Sequence, residues 1–370
     1  KEAATGEVAS GGPPRIIAEI GTAHGGSLAK ARELILAAAE AGAEVAKFQA
    51  VYAEEIVHPA AGTIALPGGP TEIYERFRAL EQPPDFYSAL QESCLEAGIQ
   101  FLCTPFGLRS ARMLRELHVR AWTIASPELN HLPLLREVGR TGLPVTLSSG
   151  VSTLADIELA LTTLRNEAAQ EITLLHCITA YPAPPEQYNL RLLPHLQTIL
   201  GVEIGVSDHT VEAELIPGLA VAMGATAVEK HITLSRTDGG LDDPIAQDPD
   251  SFATVVDTAR AVWQLRRAGA PRDRIVAEFS ESFGRERVEA ILGSGRKELA
   301  ASEAERDATT NRSLLAVRSR QAGQRLSSRD IAPLRSEQNL TPGLHPRHLE
   351  TVLGARLVRP IASGEGLRWD

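Results

Sequence analysis

Residues 203–231 read EIGVSDHTVEAELIPGLAVAMGATAVEKH, and this stretch decides the fold. Two short apolar runs, Glu203–Ser207 and Thr226–Lys230, bracket a longer segment of helical character. Short apolar runs bounded by turn signals fit buried strands, and a longer stretch between them fits a helix. Each run opens onto polar groups: Ser207, Asp208 and His209 after the first, His231 after the second. Toward the N-terminus the same unit recurs. The runs Arg15–Ile20, Glu44–Gln49, Ile99–Cys103, Ala121–Ala125, Pro144–Ser148 and Ile172–Cys177 are expected strands. Leu28–Ala41, Asp85–Ala97, Ser110–Leu117 and Thr153–Leu164 are among the expected helices, and Gly42 and Gly98 are C-cap residues. Eight such units in about 250 residues have the rhythm of a (β/α)8 TIM barrel. An open doubly wound sheet is the competing arrangement, and the lack of a GxGxxG turn after the first strand disfavours it.

The remainder of the 370 residues divides around this core. Residues 1–14 are small and polar, lack the apolar stretch of a signal peptide, and are expected to form a disordered lead-in. The barrel is expected over 15–268, a linker with some helix over 269–307, and a small β-rich domain over 308–370, with β runs at SLLAV and ARLVRPI. Residues 50–83, rich in Gly and Pro, make a long and therefore functional or mobile βα connection. The net charge of −10 disfavours nucleic acid as a partner. No run of 18 apolar residues offers a membrane span. Cys94, Cys103 and Cys177 have no zinc-ligand spacing and read as free thiols, which implies a reducing, cytoplasmic compartment. No lysine lies between Lys47 and Lys230, so an anion site in that interval must use arginine, hydroxyls or backbone N–H groups.

In a barrel the chemistry gathers at the C-terminal ends of the strands. Those positions hold Glu19, then Lys47 and Gln49, Thr104, Ser126 and Glu128, Ser148, Thr179 and Tyr181, Ser207 to His209, and finally His231. His209 and His231 follow adjacent strands, and two imidazoles near a carboxylate suit a divalent ion such as manganese or zinc. Glu19 ends an apolar run, and a salt bridge to Lys47 on the neighbouring strand would offset the cost of its burial. Thr104, Ser126, Ser148 and Ser207 can cradle a phosphate. His24, His176 and His195 have no such neighbours and read as structural.

The segments IIAEIG, AKFQ, FLCTPF, IASPELN, SSGVST, LLHCITAYPAP, GVSDHT and EKHITL, followed by LGSGRK and NRSLLAVRSRQAG, occur here in the order of the sialic acid synthase family. The chain resembles that family over almost its whole length, including a C-terminal antifreeze-like (SAF) domain. The resemblance implies condensation of phosphoenolpyruvate with an N-acetylmannosamine-like aldose, giving a nonulosonic-type α-keto acid and phosphate. It implies a divalent metal, manganese or magnesium, on His209 and His231, and a domain-swapped homodimer. Glu19, Glu128 and Lys47 would then serve the reacting carbons, and Gln49, Thr104, Ser126, Ser148 and Ser207 the donor. Tyr181 and Asp242 would meet sugar hydroxyls, and Arg335 the acylamino group from the partner subunit. Thr123 stands where the family has a phosphate-binding lysine, and Pro127 where it has glycine. The cation that replaces the lysine is expected to be the metal, Lys47, or an arginine such as Arg109 or Arg120. Two further readings stay open: a synthase making an unusual high-carbon sugar in secondary metabolism, and a non-catalytic carbohydrate-binding descendant.

Overall fold

The computed structural model describes residues 12–66, 69–304 and 307–370. Most of the expected lead-in therefore lies outside the described residues. The eight long-range strands are β1 (Arg15–Gly21), β2 (Val45–Ala50), β3 (Gln100–Pro105), β4 (Trp122–Ile124), β5 (Val145–Ser148), β6 (Ile172–Cys177), β7 (Glu203–Asp208) and β8 (Ala227–His231). They form one sheet in the order β3-β2-β1-β8-β7-β6-β5-β4. Read cyclically, this is the order of a (β/α)8 barrel with its seam between β3 and β4, and the ladders described between its strands are parallel.

Eight helices alternate with the strands: α1 (Leu28–Glu40), α2 (Pro84–Glu96), α3 (Leu108–Glu116), α4 (Leu132–Gly139), α5 (Leu154–Glu167), α6 (Leu192–Leu200), α7 (Leu215–Ala222) and α8 (Pro249–Arg267). Their sequences account for them. In α1, Ser27 caps the N-terminus by accepting from Lys30 N, and Ala31, Leu34, Ile35 and Ala38 form one buried stripe. In α5, Thr153 and Asp156 make a capping box. The strands are covered on both faces, as parallel strands require: Ile16 to Gly21 are all buried. Gly205 in β7 has no room for a side chain, since a Cβ there would approach Ala227 O to 2.6 Å.

The long connection after β2 carries structure of its own: helices Ala53–Ile56 and Ile73–Arg78 and a hairpin pairing Thr63–Leu66 with Gly69–Glu72. The expected linker is more helical than its charge suggested. It holds α9 (Arg272–Phe283) and α10 (Arg285–Leu292). In the small domain, β9 (Arg312–Ala316) pairs antiparallel with β10 (Ile331–Arg335), over a core of Leu314, Leu326, Ile331, Val352, Ile361 and Leu367. The second expected run, Ala355–Ile361, is not a strand. It makes only isolated bridges, Arg325 to Arg356 and Arg320 to Ile361, because Pro360 has no N–H to donate to a ladder.

The described residues form two compact units. The first holds residues up to 48, 89–102 and 172–302, and the second 49–88, 103–171 and 303–370. The small domain thus belongs with the loops after β2, β3, β4 and β5 of its own chain.

Candidate active site

In the first unit, parallel register aligns three charged positions. Glu19 stands opposite Lys47 on β2 and opposite His231 on β8. Lys47 Nζ lies 3.0 Å from Glu19 and 2.9 Å from Glu229, and all three side chains are buried. Burial alone would lower the Lys47 pKa, but the two carboxylates outweigh it and hold the ammonium above its usual range. The bridge expected between Glu19 and Lys47 is thus one half of a triad. Glu229 is the residue that sequence reasoning missed. It was hidden in the apolar run AVEKH, although it sits two positions before His231 and so faces the same side of the strand.

Ser207 donates to Glu229 Oε1 at 2.8 Å, so its proton is committed there. Asp208 and Lys230 alternate to the opposite faces of β7 and β8, where they form a separate buried pair at 2.6 Å. Asp208 therefore does not join the catalytic groups.

The two imidazoles meet with ring centroids 5.4 Å apart. Tyr181, half exposed, stacks on His209 at 4.3 Å. His209 Nδ1 lies 2.8 Å from Ile178 O, and a proton on Nδ1 leaves Nε2 with a lone pair. Burial lowers the pKa of both rings; for His231 the neighbouring His209 adds to the effect, so both are neutral. Asp242 approaches His231 Nδ1 to 3.7 Å. Burial, then repulsion from Glu19, pushes the Asp242 carboxyl up to about 6.

These groups fit a divalent cation. Two neutral imidazoles supply lone pairs, and Glu19, Glu229 and Asp242 set three acidic groups against the single ammonium of Lys47. Among the described residues no cluster of three or more His, Cys, Asp or Glu could hold a metal unaided. A divalent ion at this place would have His209 and His231 as its protein ligands, with its other positions open to substrate or water. The remaining histidines of this unit serve the backbone: His24 Nδ1 accepts from Gly26 N, His176 bonds Tyr188 O, and His195 bonds Gly295 O.

In the second unit Glu128 is the centre. It is fully buried in a short 3-10 turn after β4, and its Oε1 receives Nη2 of Arg312 at 2.7 Å and Nη2 of Arg335 at 2.6 Å. Arg335 therefore reaches Glu128 within a single chain. Arg312, unrecognised in the sequence, was legible only as the polar residue heading the run NRSLLAV. Ser126 Oγ accepts from Gly150 N at 2.9 Å, and Ser148 is buried at the end of β5. Thr104 Oγ1 and Thr123 Oγ1 are buried with no hydrogen-bond partner among the described residues. Such hydroxyls are costly unless a ligand completes them. Gln49 accepts from Tyr87 through its main-chain carbonyl at 3.3 Å.

Neither arginine proposed in place of the lysine is available. Arg109 is an exposed side chain paired with Glu54 at 2.9 Å and stacked on Tyr52. Arg120 is exposed and precedes β4, at the opposite end of the strand from Ser126 and Glu128. Cys94, Cys103 and Cys177 are free and buried.

A parallel eight-stranded barrel with ionisable groups at its strand ends, carrying a small β domain at its C-terminus, defines a barrel enzyme of the sialic acid synthase type. Comparison with known proteins agrees: the chain belongs to the NeuB family, whose model matches residues 34–270, and residues 311–370 match the SAF domain. It is similar to the spore coat polysaccharide biosynthesis protein SpsE of Bacillus subtilis (strain 168), at 35% identity over 97% of this chain and 93% of that protein. An N,N'-diacetyllegionaminic acid synthase of Legionella pneumophila is 30% identical over 96% of this chain and 93% of its own length. The crystal structure of B. subtilis SpsE superposes with a TM-score of 0.83 at 33% identity, covering 98% of each chain. Enzymes of this type join phosphoenolpyruvate to a sugar, and the chain is an enzyme of that type. No helix among the described residues is long and apolar enough to cross a membrane.

Proposed function

We propose that the protein condenses phosphoenolpyruvate with a 2-acylamino aldose to give a nonulosonic acid and inorganic phosphate, with a divalent metal and in the cytoplasm. The observation that carries this reading is the buried Glu19–Lys47–Glu229 triad beside the neutral pair His209 and His231. Nothing in a barrel core requires so many charges. Buried groups of this kind are kept where they act on a substrate.

Carbon 3 of phosphoenolpyruvate attacks the acceptor aldehyde, water adds to the resulting cation at carbon 2, and phosphate leaves. His209 and His231 would hold manganese or magnesium, which when bound supplies Lewis-acid polarisation of the acceptor carbonyl. Lys47 presents a fixed positive charge to the anionic donor, while Glu19 and Glu229 keep it protonated. Thr104, Ser126 and Ser148 offer hydroxyls to the donor, Ser207 can only accept there because its proton goes to Glu229, and Gln49 lies two positions after Lys47. Glu19 stabilises the positive charge that develops at carbon 2, and Glu128, neutralised by its two arginines, serves as a hydrogen-bond acceptor for the reactants. Two guanidiniums against the one Glu128 carboxylate leave a surplus positive charge, which would offset the donor phosphate without a lysine at Thr123. Tyr181 and Asp242 face the sugar hydroxyls, and Arg335 the acylamino group. The protein is a homodimer in which the small domain exchanges between copies, since exchange preserves each contact and alters only the connecting segment.

Incubation with phosphoenolpyruvate, manganese and a panel of 2-acylamino aldoses tests the reading. Phosphate and an α-keto acid are expected in equal amounts from at least one aldose. Silence across the panel, nucleoside-derived aldehydes included, overturns it.

A further inference from the structure

Arg312 heads strand β9, and its side chain is fully buried. Its five N–H donors are all engaged. Nε and Nη2 reach Glu128 Oε1 at 3.2 and 2.7 Å, Nη2 also reaches Phe106 O at 2.8 Å, and Nη1 reaches Pro333 O at 3.2 Å and the carbonyl of Glu55. Its main chain is pinned as well, since Asn130 Nδ2 donates to Arg312 O at 2.9 Å. Arg335 is its cross-strand partner on β10 and donates to the same carboxylate oxygen. Three charged N–H groups therefore converge on Oε1. Glu128 Oε2, equally buried, has no hydrogen-bond partner among the described residues.

A carboxylate gripped at one oxygen only has its plane and direction fixed, while its second oxygen keeps its acceptor capacity. A buried acceptor left unfilled costs free energy until a donor arrives. The geometry points to Arg312 as a positioning residue that acts through Glu128, aiming Oε2 at an O–H donor of the bound reactants, a sugar hydroxyl or the water that adds to carbon 2. Arg312 is too enclosed to meet a substrate itself. It differs in this from Arg335, whose side chain is 11% exposed. The rigid planar fork is the feature required, because one guanidinium satisfies the loops after β2 and β3 together with the turn after β4. An ammonium on a lysine stem has three donors at one point and cannot bridge them.

This inference rests on the reaction proposed above, and the experiment separates the two. Full-length Arg312→Lys, Arg312→Met, Glu128→Gln and the double variant Arg312→Met/Glu128→Gln are assayed on an aldose that the wild type turns over. Arg312→Lys is expected to lose about a hundred-fold in kcat, with both KM values within about three-fold. Arg312→Met should lose no further activity when placed on Glu128→Gln, since the two act as one unit. Effects that multiply, or a folded Arg312→Lys with wild-type kcat, overturn the role. A crystal structure of Arg312→Lys reads the aim directly, with or without turnover. A Glu128 carboxylate rotated away from its Oε1 contacts is expected, and an unmoved one refutes the positioning role even if the reaction itself stands.

Discussion

Replacing Lys47 by methionine keeps the stem of the side chain and removes the one ammonium between Glu19 and Glu229. The wild-type distances of 3.0 and 2.9 Å leave no room for water between the charges, and all three side chains are buried. Deleting one partner of a buried ion pair costs about 3–5 kcal/mol, because the other charge is left uncompensated. Here two carboxylates are left. For a unit of this size each kcal/mol lowers Tm by roughly 2–4 °C, so a fall of about 6–20 °C is expected. The assay is urea unfolding of Lys47→Met, Glu229→Gln and the double variant. The double variant should recover part of the loss, giving a coupling energy of about 1–3 kcal/mol, since neutralising Glu229 removes one of the stranded charges. Effects that add to within about 0.5 kcal/mol would show that Lys47 and Glu229 do not interact, and the triad reasoning would fail.

His209→Ala and His231→Ala should each abolish manganese binding in calorimetry with little change in Tm, and unchanged binding would remove the metal from this pair. Arg335→Ala should raise the acceptor KM roughly ten- to a hundred-fold, the loss of one charge-assisted hydrogen bond. An equal rise for phosphoenolpyruvate would assign the guanidinium to the donor instead. Asp156 has its pKa lowered to about 2: its burial acts in the opposite sense, but the His345 ring 3.7 Å away and hydrogen bonds from Thr153 outweigh it. A depressed carboxylate stabilises the fold above its unfolded pKa, and the contribution fades as pH falls through the folded value. Asp156→Asn should therefore cost about 1–2 kcal/mol at pH 6 and almost nothing near pH 2 in urea titrations, and a cost independent of pH would contradict the assignment.

The sequence by itself determined the barrel. Each expected strand lies within two residues of the observed one at both ends, because a strand buried on both faces must be an apolar run and its end must be marked by a turn. Strand-end chemistry was legible for the same reason. Glu19 and Lys47 each interrupt an apolar stretch, and an interruption of that kind needs a partner; His209 and His231 stand just past two such runs. Which partner was a matter for the tertiary structure. Period-2 alternation says which face a residue takes, but not which residue of the next strand stands opposite. Register settles that, and it brought Glu229 to Lys47 and turned Lys230 toward Asp208. It also left Ser207 bonded to a carboxylate. The docking of the small domain was equally silent in the sequence. Arg312 and Arg335 lie 184 and 207 positions from Glu128, and only the antiparallel pairing of β9 with β10 sets both guanidiniums on one carboxylate oxygen. Local pattern decides what is buried; long-range geometry alone decides which buried charges meet.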